Sequence, residues 1–179
     1  GLHKRGYRGR AGDAPIKETL AAAMVKLSYW NPSRMLYDPF CGSGTILIEA
    51  AMIGRNIAPG IDREFVSQKW KIIGEDVYKE VRRDALNAID NDIELNLIGS
   101  YIDKWSIDRA MDNAENIGVF DDIKFKQVDM REVRLEDNYG VVITNPPYGE
   151  RMGERREIEL LYKDFGTKFR RLKTWSIYL

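Results

Sequence analysis

The chain has 179 residues, 44% of them hydrophobic and 31% charged, the balance of a soluble globular protein long enough to bury a core. Its 28 basic and 28 acidic side chains cancel, so bulk charge alone gives it no strong pull toward nucleic acid. A single cysteine excludes an internal disulfide and fits a reducing cytoplasm, the expected location, and no apolar run approaches a membrane span.

The charge is unevenly spread. Residues 1–10 carry Lys4, Arg5, Arg8 and Arg10 without an acid, and residues 151–173 carry eight basic against four acidic side chains. If both segments lie on one face they form a phosphate track, to which Arg5, Arg8 and Arg151 would belong. The other reading of the second segment is a solvated helix face. His3 is the only histidine and has no second ligand at zinc spacing, so no metal is expected.

In chain order, periodicity predicts a helix over Ile16 to Tyr29 with Leu20, Met24 and Leu27 on one stripe. A first strand follows over 35–39, then an apolar helix over 43–54. Residues 56–71, with Pro59 and Gly60, read as an irregular connection containing a short helix. A charged helix runs from Glu75 to about Asp92, and Leu95 to Asp103 is a second strand. Ser106 to Ile117 is a helix stopped by Gly118. The third strand is Ile123 to Val128 and the fourth Gly140 to Thr144; a helix over Ile158 to Leu172 leads to a fifth strand at Thr174 to Leu179. Strands alternating with helices specify an α/β fold with a doubly wound, mostly parallel, Rossmann-like sheet. In such sheets ligand groups gather at the carboxyl ends of the strands.

The first strand runs into Asp38-Pro39-Phe40-Cys41-Gly42-Ser43-Gly44-Thr45. Gly42 and Gly44 let backbone approach a ligand closely, and the helix behind them offers free N–H groups. The pattern is neither a dinucleotide G-x-G-x-x-G, since residue 47 is leucine, nor a phosphate loop, since no Gly-Lys-Ser/Thr follows. Asp38 sits where its carboxylate can meet a cationic amino group, so a zwitterion such as S-adenosylmethionine suits the loop better than a pyrophosphate. Cys41 reads as a small residue in a tight turn rather than a reactive thiol. Asp103 and Asp129 end the second and third strands, where carboxylates can take ribose hydroxyls and an adenine amino group; the alternative for each is a cap or turn.

The fourth strand ends in Asn145-Pro146-Pro147-Tyr148. Such a turn supplies what methylation of a nucleobase amine needs. The amine lone pair is delocalised into the ring, and two acceptors aimed at its N–H bonds turn it toward an incoming methyl group. The Asn145 side-chain oxygen and the Pro146 carbonyl supply the pair, the prolines fix it in advance, and the Tyr148 ring offers a stacking surface for the base. The alternative is an ordinary proline turn closing a strand.

With these motifs in this order, the chain resembles the class I S-adenosylmethionine-dependent methyltransferases, and among them the bacterial ribosomal-RNA guanine-N2 methyltransferases. Supporting segments are Leu2 to Arg8, Ala14-Pro15-Ile16-Lys17-Glu18-Thr19 with the alanines after it, Ile46 to Ala51, Asn56 to Gly60 and Asn145 to Arg151. The resemblance implies that residues 1–179 form one methyltransferase domain, with 1–30 leading into its core. It implies that Asp38 to Thr45, Thr19, Asp103, Asp129 and Asn145 hold S-adenosylmethionine and that Asn145 to Tyr148 act on the base. The relatives carry an acid where this chain has Tyr101, which leaves Asp103 to take the ribose or leaves the hydroxyls less tightly held. Relatives also have a seven-stranded sheet and an N-terminal RNA-binding domain of the THUMP type, so the domain is expected to be partial. The resemblance implies guanine N2 of 23S ribosomal RNA as target and ribosomal RNA as partner. An adenine-N6 methyltransferase and a non-catalytic cofactor-binding module stay open, because N-P-P-Y serves either amine.

Overall fold

The computed structural model describes residues 4–9, 16–135, 139–148 and 155–179. Its strands are β1 (Leu36–Asp38), β2 (Leu97–Tyr101), β3 (Ile123–Gln127), β4 (Val141–Ile143) and β5 (Ser176–Tyr178). The helices are α1 (Glu18–Leu27), α2 (Thr45–Gly54), α3 (Glu75–Asn87), α4 (Lys104–Asn116) and α5 (Arg155–Phe169), with 3-10 turns at Val66–Lys69 and Phe120–Asp122. All strand pairings are parallel and the order is β3-β2-β1-β4-β5. The chain winds outward from β1 in both directions, so β1 and β4 flank the switch point where such sheets open a crevice.

Strand alternation sorts the core into two layers. Leu36, Leu97, Val141 and Ile143 face one side, against α1, α2 and α4. Tyr37, Ile98 and Val142 face the other, where Phe165 and Phe169 of α5 cover them. The Phe165 and Phe169 rings lie 4.4 Å apart and Phe169 lies 6.1 Å from Tyr37, so truncating either phenylalanine to alanine costs about 3–5 kcal/mol. Residues Thr45 to Met52 of α2 are all buried, as expected for a helix apolar on every side. Its Glu49 is the exception in kind. It accepts from the Tyr7 hydroxyl at 3.1 Å and pairs with Arg5 at 3.3 Å.

The expected elements are all present, with ends that differ by a few residues; α5, for one, spans Arg155–Phe169 rather than 158–172. Helix α1 spans Glu18–Leu27 rather than 16–29, because Tyr29 takes φ +54° and the Ser28 hydroxyl folds back onto the Val25 carbonyl. Helix α3 stops at Asn87 rather than near 92, because the Asp90 carboxylate takes the N–H groups of Asp92 and Ile93 in a turn. Helix α4 starts two residues earlier than periodicity indicates, and its end is marked by Gly118 at φ +74°. No described helix is long and apolar enough to cross a membrane.

Candidate active site

The loop after β1 is built by backbone bonds before any ligand is considered. The Cys41 N–H donates to the Ser100 carbonyl of β2 at 3.1 Å, and the Gly44 N–H donates to the Cys41 carbonyl at 2.8 Å. The Asn113 side chain on α4 donates to the Ser43 carbonyl at 3.1 Å. Gly42 and Gly44 take φ +49° and +80°, the left-handed region that favours glycine. Their missing side chains face different ways. A Cβ on Gly42 would meet nothing within 4 Å, as close approach of a ligand requires, whereas one on Gly44 would press on Ala110 at 3.0 Å and Phe125 at 3.2 Å. Gly44 is thus needed first for packing α2 against α4 and β3, a reason the motif alone does not give.

Asp38 is 1% exposed at the floor of the crevice. Its Oδ1 accepts from the Thr144 hydroxyl at 2.6 Å and from the Phe40 N–H at 3.0 Å. Burial pushes its carboxyl up to about 7 against the lowering effect of these two bonds. Burial, followed by the Asp38 charge, also holds the Cys41 thiol well above its ordinary value, so Cys41 is a packing group and not a nucleophile.

Two cavities open side by side at the carboxyl ends of the strands. One, of about 240 Å³, joins Asp38, Phe40, Cys41, Gly42, Ser43 and Thr45 to Asn145, Pro146, Pro147 and Tyr148. The other, of about 350 Å³, lies between Pro39, Phe40, Tyr101, Ile102, Asp129 and Pro147. Phe40, Tyr101 and Pro147 line both. The loop after β1 and the turn after β4, 100 residues apart in sequence, therefore share one enclosure because β1 and β4 are neighbours. In that turn Pro146 is buried, Asn145 and Pro147 are half-buried, and Tyr148 is 71% exposed. The Tyr148 hydroxyl donates to Asn145 Oδ1, and the Tyr162 hydroxyl of α5 donates to the Pro147 carbonyl at 3.4 Å.

Other expected residues lie differently. Asp103 is exposed and caps α4, accepting from the Ser106 N–H at 2.7 Å; the Ser106 side chain first, and then that backbone bond, hold its carboxyl below the usual range, and it lines neither cavity. Asp129 lines the larger cavity but already accepts from the Arg131 N–H at 2.8 Å and its guanidinium at 2.9 Å. Thr19 is exposed on α1 and lines neither. The Arg5 guanidinium meets Glu49, and that of Arg8 donates to Thr45 Oγ1 at 2.8 Å and lies 3.6 Å from Glu18. Both arginines are turned toward the protein. Arg151 lies outside the described residues. Sequence reasoning missed Thr144, whose place between a buried strand and N-P-P-Y is the signal that could have found it. Tyr101, which in sequence marks only a departure from the relatives, is half-buried and forms part of the wall common to both cavities.

A third cavity, of about 370 Å³, lies beneath α3, remote from the strand ends. Its walls are largely alanine and aliphatic, and Glu49 there is already engaged by Arg5. Of its other polar groups, the Asn56 side chain is spent on the Ala88 carbonyl, and the cavity includes neither the glycine turn nor the Asn145 turn.

A doubly wound sheet with a glycine turn after β1 and Asn-Pro-Pro-Tyr after the adjacent β4 defines a methyltransferase domain. The chain belongs to the UPF0020 family of RMKL-like methyltransferase domains, which matches residues 5–179. It is 50% identical over its whole length to YpsC of Bacillus subtilis strain 168, whose name is putative RNA methyltransferase, and spans 46% of that protein. It is 43% identical over 176 residues to the ribosomal RNA large subunit methyltransferase K/L of Shewanella baltica strain OS195, covering 95% of this chain and 25% of that one. The chain thus spans half or less of these relatives. Among solved structures, a Listeria monocytogenes protein named a predicted N6-adenine-specific DNA methylase superposes with TM-score 0.94 at 50% identity, over 99% of this chain and 47% of that one. SMU.472, described as a putative methyltransferase complexed with SAH, gives 0.93 at 44% identity, over 98% and 46%.

Proposed function

We propose that this domain transfers a methyl group from S-adenosylmethionine to an exocyclic amine of a base in large-subunit ribosomal RNA, with guanine N2 as the target. The observation that carries the reading is the shared enclosure of Asp38, Gly42 and Asn145-Pro146-Pro147-Tyr148 at the β1–β4 switch point. The residues fit the cofactor. Asp38 offers a carboxyl to an ammonium group, Gly42 leaves room at its α-carbon, and the apolar walls of Pro39, Phe40 and Ile102 suit an adenine ring. Bound there, the sulfonium supplies an already activated methyl group. What remains for the protein is alignment and acceptance. Asn145 Oδ1 and the Pro146 carbonyl take the two amine N–H bonds, and Tyr148, open to solvent, stacks on the base that has left its helix.

The choice of ribosomal RNA rests on the names of relatives at 40–43% identity. The choice of guanine N2 rests on the narrower resemblance of Leu2 to Arg8 and of Ala14 to Thr19. Adenine N6 is the second reading, favoured by the name of the Listeria protein. The deciding experiment incubates the full-length protein with S-adenosylmethionine and unmethylated 23S ribosomal RNA, then separates the nucleosides by mass spectrometry. N2-methylguanosine is expected. N6-methyladenosine would establish the second reading. Binding of S-adenosylhomocysteine without methylation of any RNA or DNA would leave a binding module only.

A further inference from the structure

Stacking uses the ring of Tyr148 and gives its hydroxyl no task. Yet that hydroxyl donates to Asn145 Oδ1, the atom assigned to the target amine. We propose that Tyr148 is a positioning residue for methyl transfer, its hydroxyl holding the Asn145 carboxamide with Oδ1 turned toward the amine. The inference rests on the reading of Asn145 as an amine acceptor.

A carboxamide has an accepting end and a donating end. Rotation about its last bond exchanges them at little intrinsic cost. A ring-conjugated amine has only N–H groups to present, so Asn145 turned the other way would set donor against donor. The neighbours of the carboxamide must therefore choose its orientation. A phenol is a better donor than acceptor, because its oxygen lone pair is drawn into the ring. An amide oxygen is a strong acceptor with two lone pairs. Tyr148 therefore favours the orientation in which Oδ1 faces its hydroxyl, and it uses one lone pair, leaving the second for the amine.

The hold is braced from behind. Residues 145 and 148 are separated by two prolines with fixed φ, which limits how far the two side chains can drift apart. The carbonyl of Pro147 takes the Tyr162 hydroxyl, and Tyr162 sits on α5, whose Phe165 and Phe169 are buried in the core. Asn145 is itself half-buried and lines the cavity.

Tyr148→Phe tests this, because it keeps the ring and removes only the hydroxyl. In the full-length protein acting on 23S ribosomal RNA transcribed in vitro, kcat is expected to fall about five- to tenfold, the loss of one net hydrogen bond, with KM for RNA within about twofold. Combined with Asn145→Ala it should add nothing, since there is no carboxamide left to orient. Independently of activity, the side-chain NH₂ resonances of Asn145, assigned by their loss in Asn145→Ala, should move in the ¹⁵N spectrum of Tyr148→Phe. An unmoved pair, or an active wild type with Tyr148→Phe at full kcat, overturns the proposal alone. A changed KM at constant kcat overturns it too, since the hydroxyl would then be touching RNA. No transfer by the wild type, or full transfer by Asn145→Ala, overturns the functional reading and this proposal with it.

Discussion

The crevice between β1 and β4 and the end of β2 present the same side chain in opposite circumstances. Asp38 is buried, bonded by Thr144 and Phe40, and held as an acid up to about 7. Asp103 is exposed, bonded to the first turn of α4, and held below the usual carboxylate range. Asp38 is the last residue of β1 and Asp103 comes just after β2, and both are candidates for the cofactor by sequence. The difference lies in what adjoins them. At β1 the chain winds away in two directions and leaves a gap that the carboxyl can face, whereas at β2 the next residues turn at once into a helix whose N–H groups claim the carboxylate. A strand end is therefore a site only where the topology leaves it unclaimed.

The largest expected effect breaks the chemistry of the crevice and spares its binding. Asn145→Ala should lower the rate of transfer by about a hundredfold or more, as removal of a preorganised polar group at a reacting centre does. The affinity for S-adenosylhomocysteine, measured by calorimetry, should stay the same. Asp38→Asn should do the reverse of sparing it, weakening S-adenosylhomocysteine on the order of tenfold through loss of a charge-assisted pair.

The Asp38 comparison sharpens with pH. In the ligand-free fold the carboxyl holds a proton that the unfolded chain has already lost above the ordinary aspartate range. The stability this contributes is present at the acid side and is lost as pH rises through about 7. The thermal stability of the wild type should therefore fall between roughly pH 4 and 7 more than that of Asp38→Asn. A cationic amino group favours the ionised carboxyl, so S-adenosylhomocysteine affinity should climb over the same interval and the climb should vanish in Asp38→Asn. Equal pH slopes for the two proteins would show that Asp38 is ionised throughout.

The smallest effect belongs to Asp103. As an exposed helix cap, Asp103→Ala should lower Tm by only a few degrees, with ligand affinity unchanged. A tenfold loss of affinity would instead assign the ribose to it and erase the contrast with Asp38.

The alternation of strands and helices, the glycine turn and N-P-P-Y were legible because each depends on local chemistry: period-two and helical patterns, positive φ, fixed proline geometry. That Asp38 and Asn145 share an enclosure followed from strand order, which the fold class constrains. Contacts between distant side chains were not legible. Nothing in residues 1–10 says that Arg5 faces Glu49 on α2 or that Arg8 reaches Thr45, so their charges read as open to phosphate. Asp103 was ambiguous because ribose binding and capping ask for the same carboxylate three residues before a helical N–H. The sequence of Gly44 states that a side chain is unwelcome, and only packing shows that Ala110 and Phe125 are what it would strike.

The two-layer sorting of the strands also acts as a ruler. Val142 belongs to the α5 side while Val141 and Ile143 belong to the α2 side. A slip of β4 by one residue against β1 would exchange these sides and expose each group to the wrong layer. The same slip would carry Asn145 about 3.3 Å along the sheet, away from the loop after β1. Misregistered copies of this chain would thus lose their fold before they could present a misaligned acceptor. In the proposed reaction, the placement of Asn145 is inherited from apolar side chains two to four residues upstream, and substitutions at Val141 to Ile143 that keep the alternation should leave it intact.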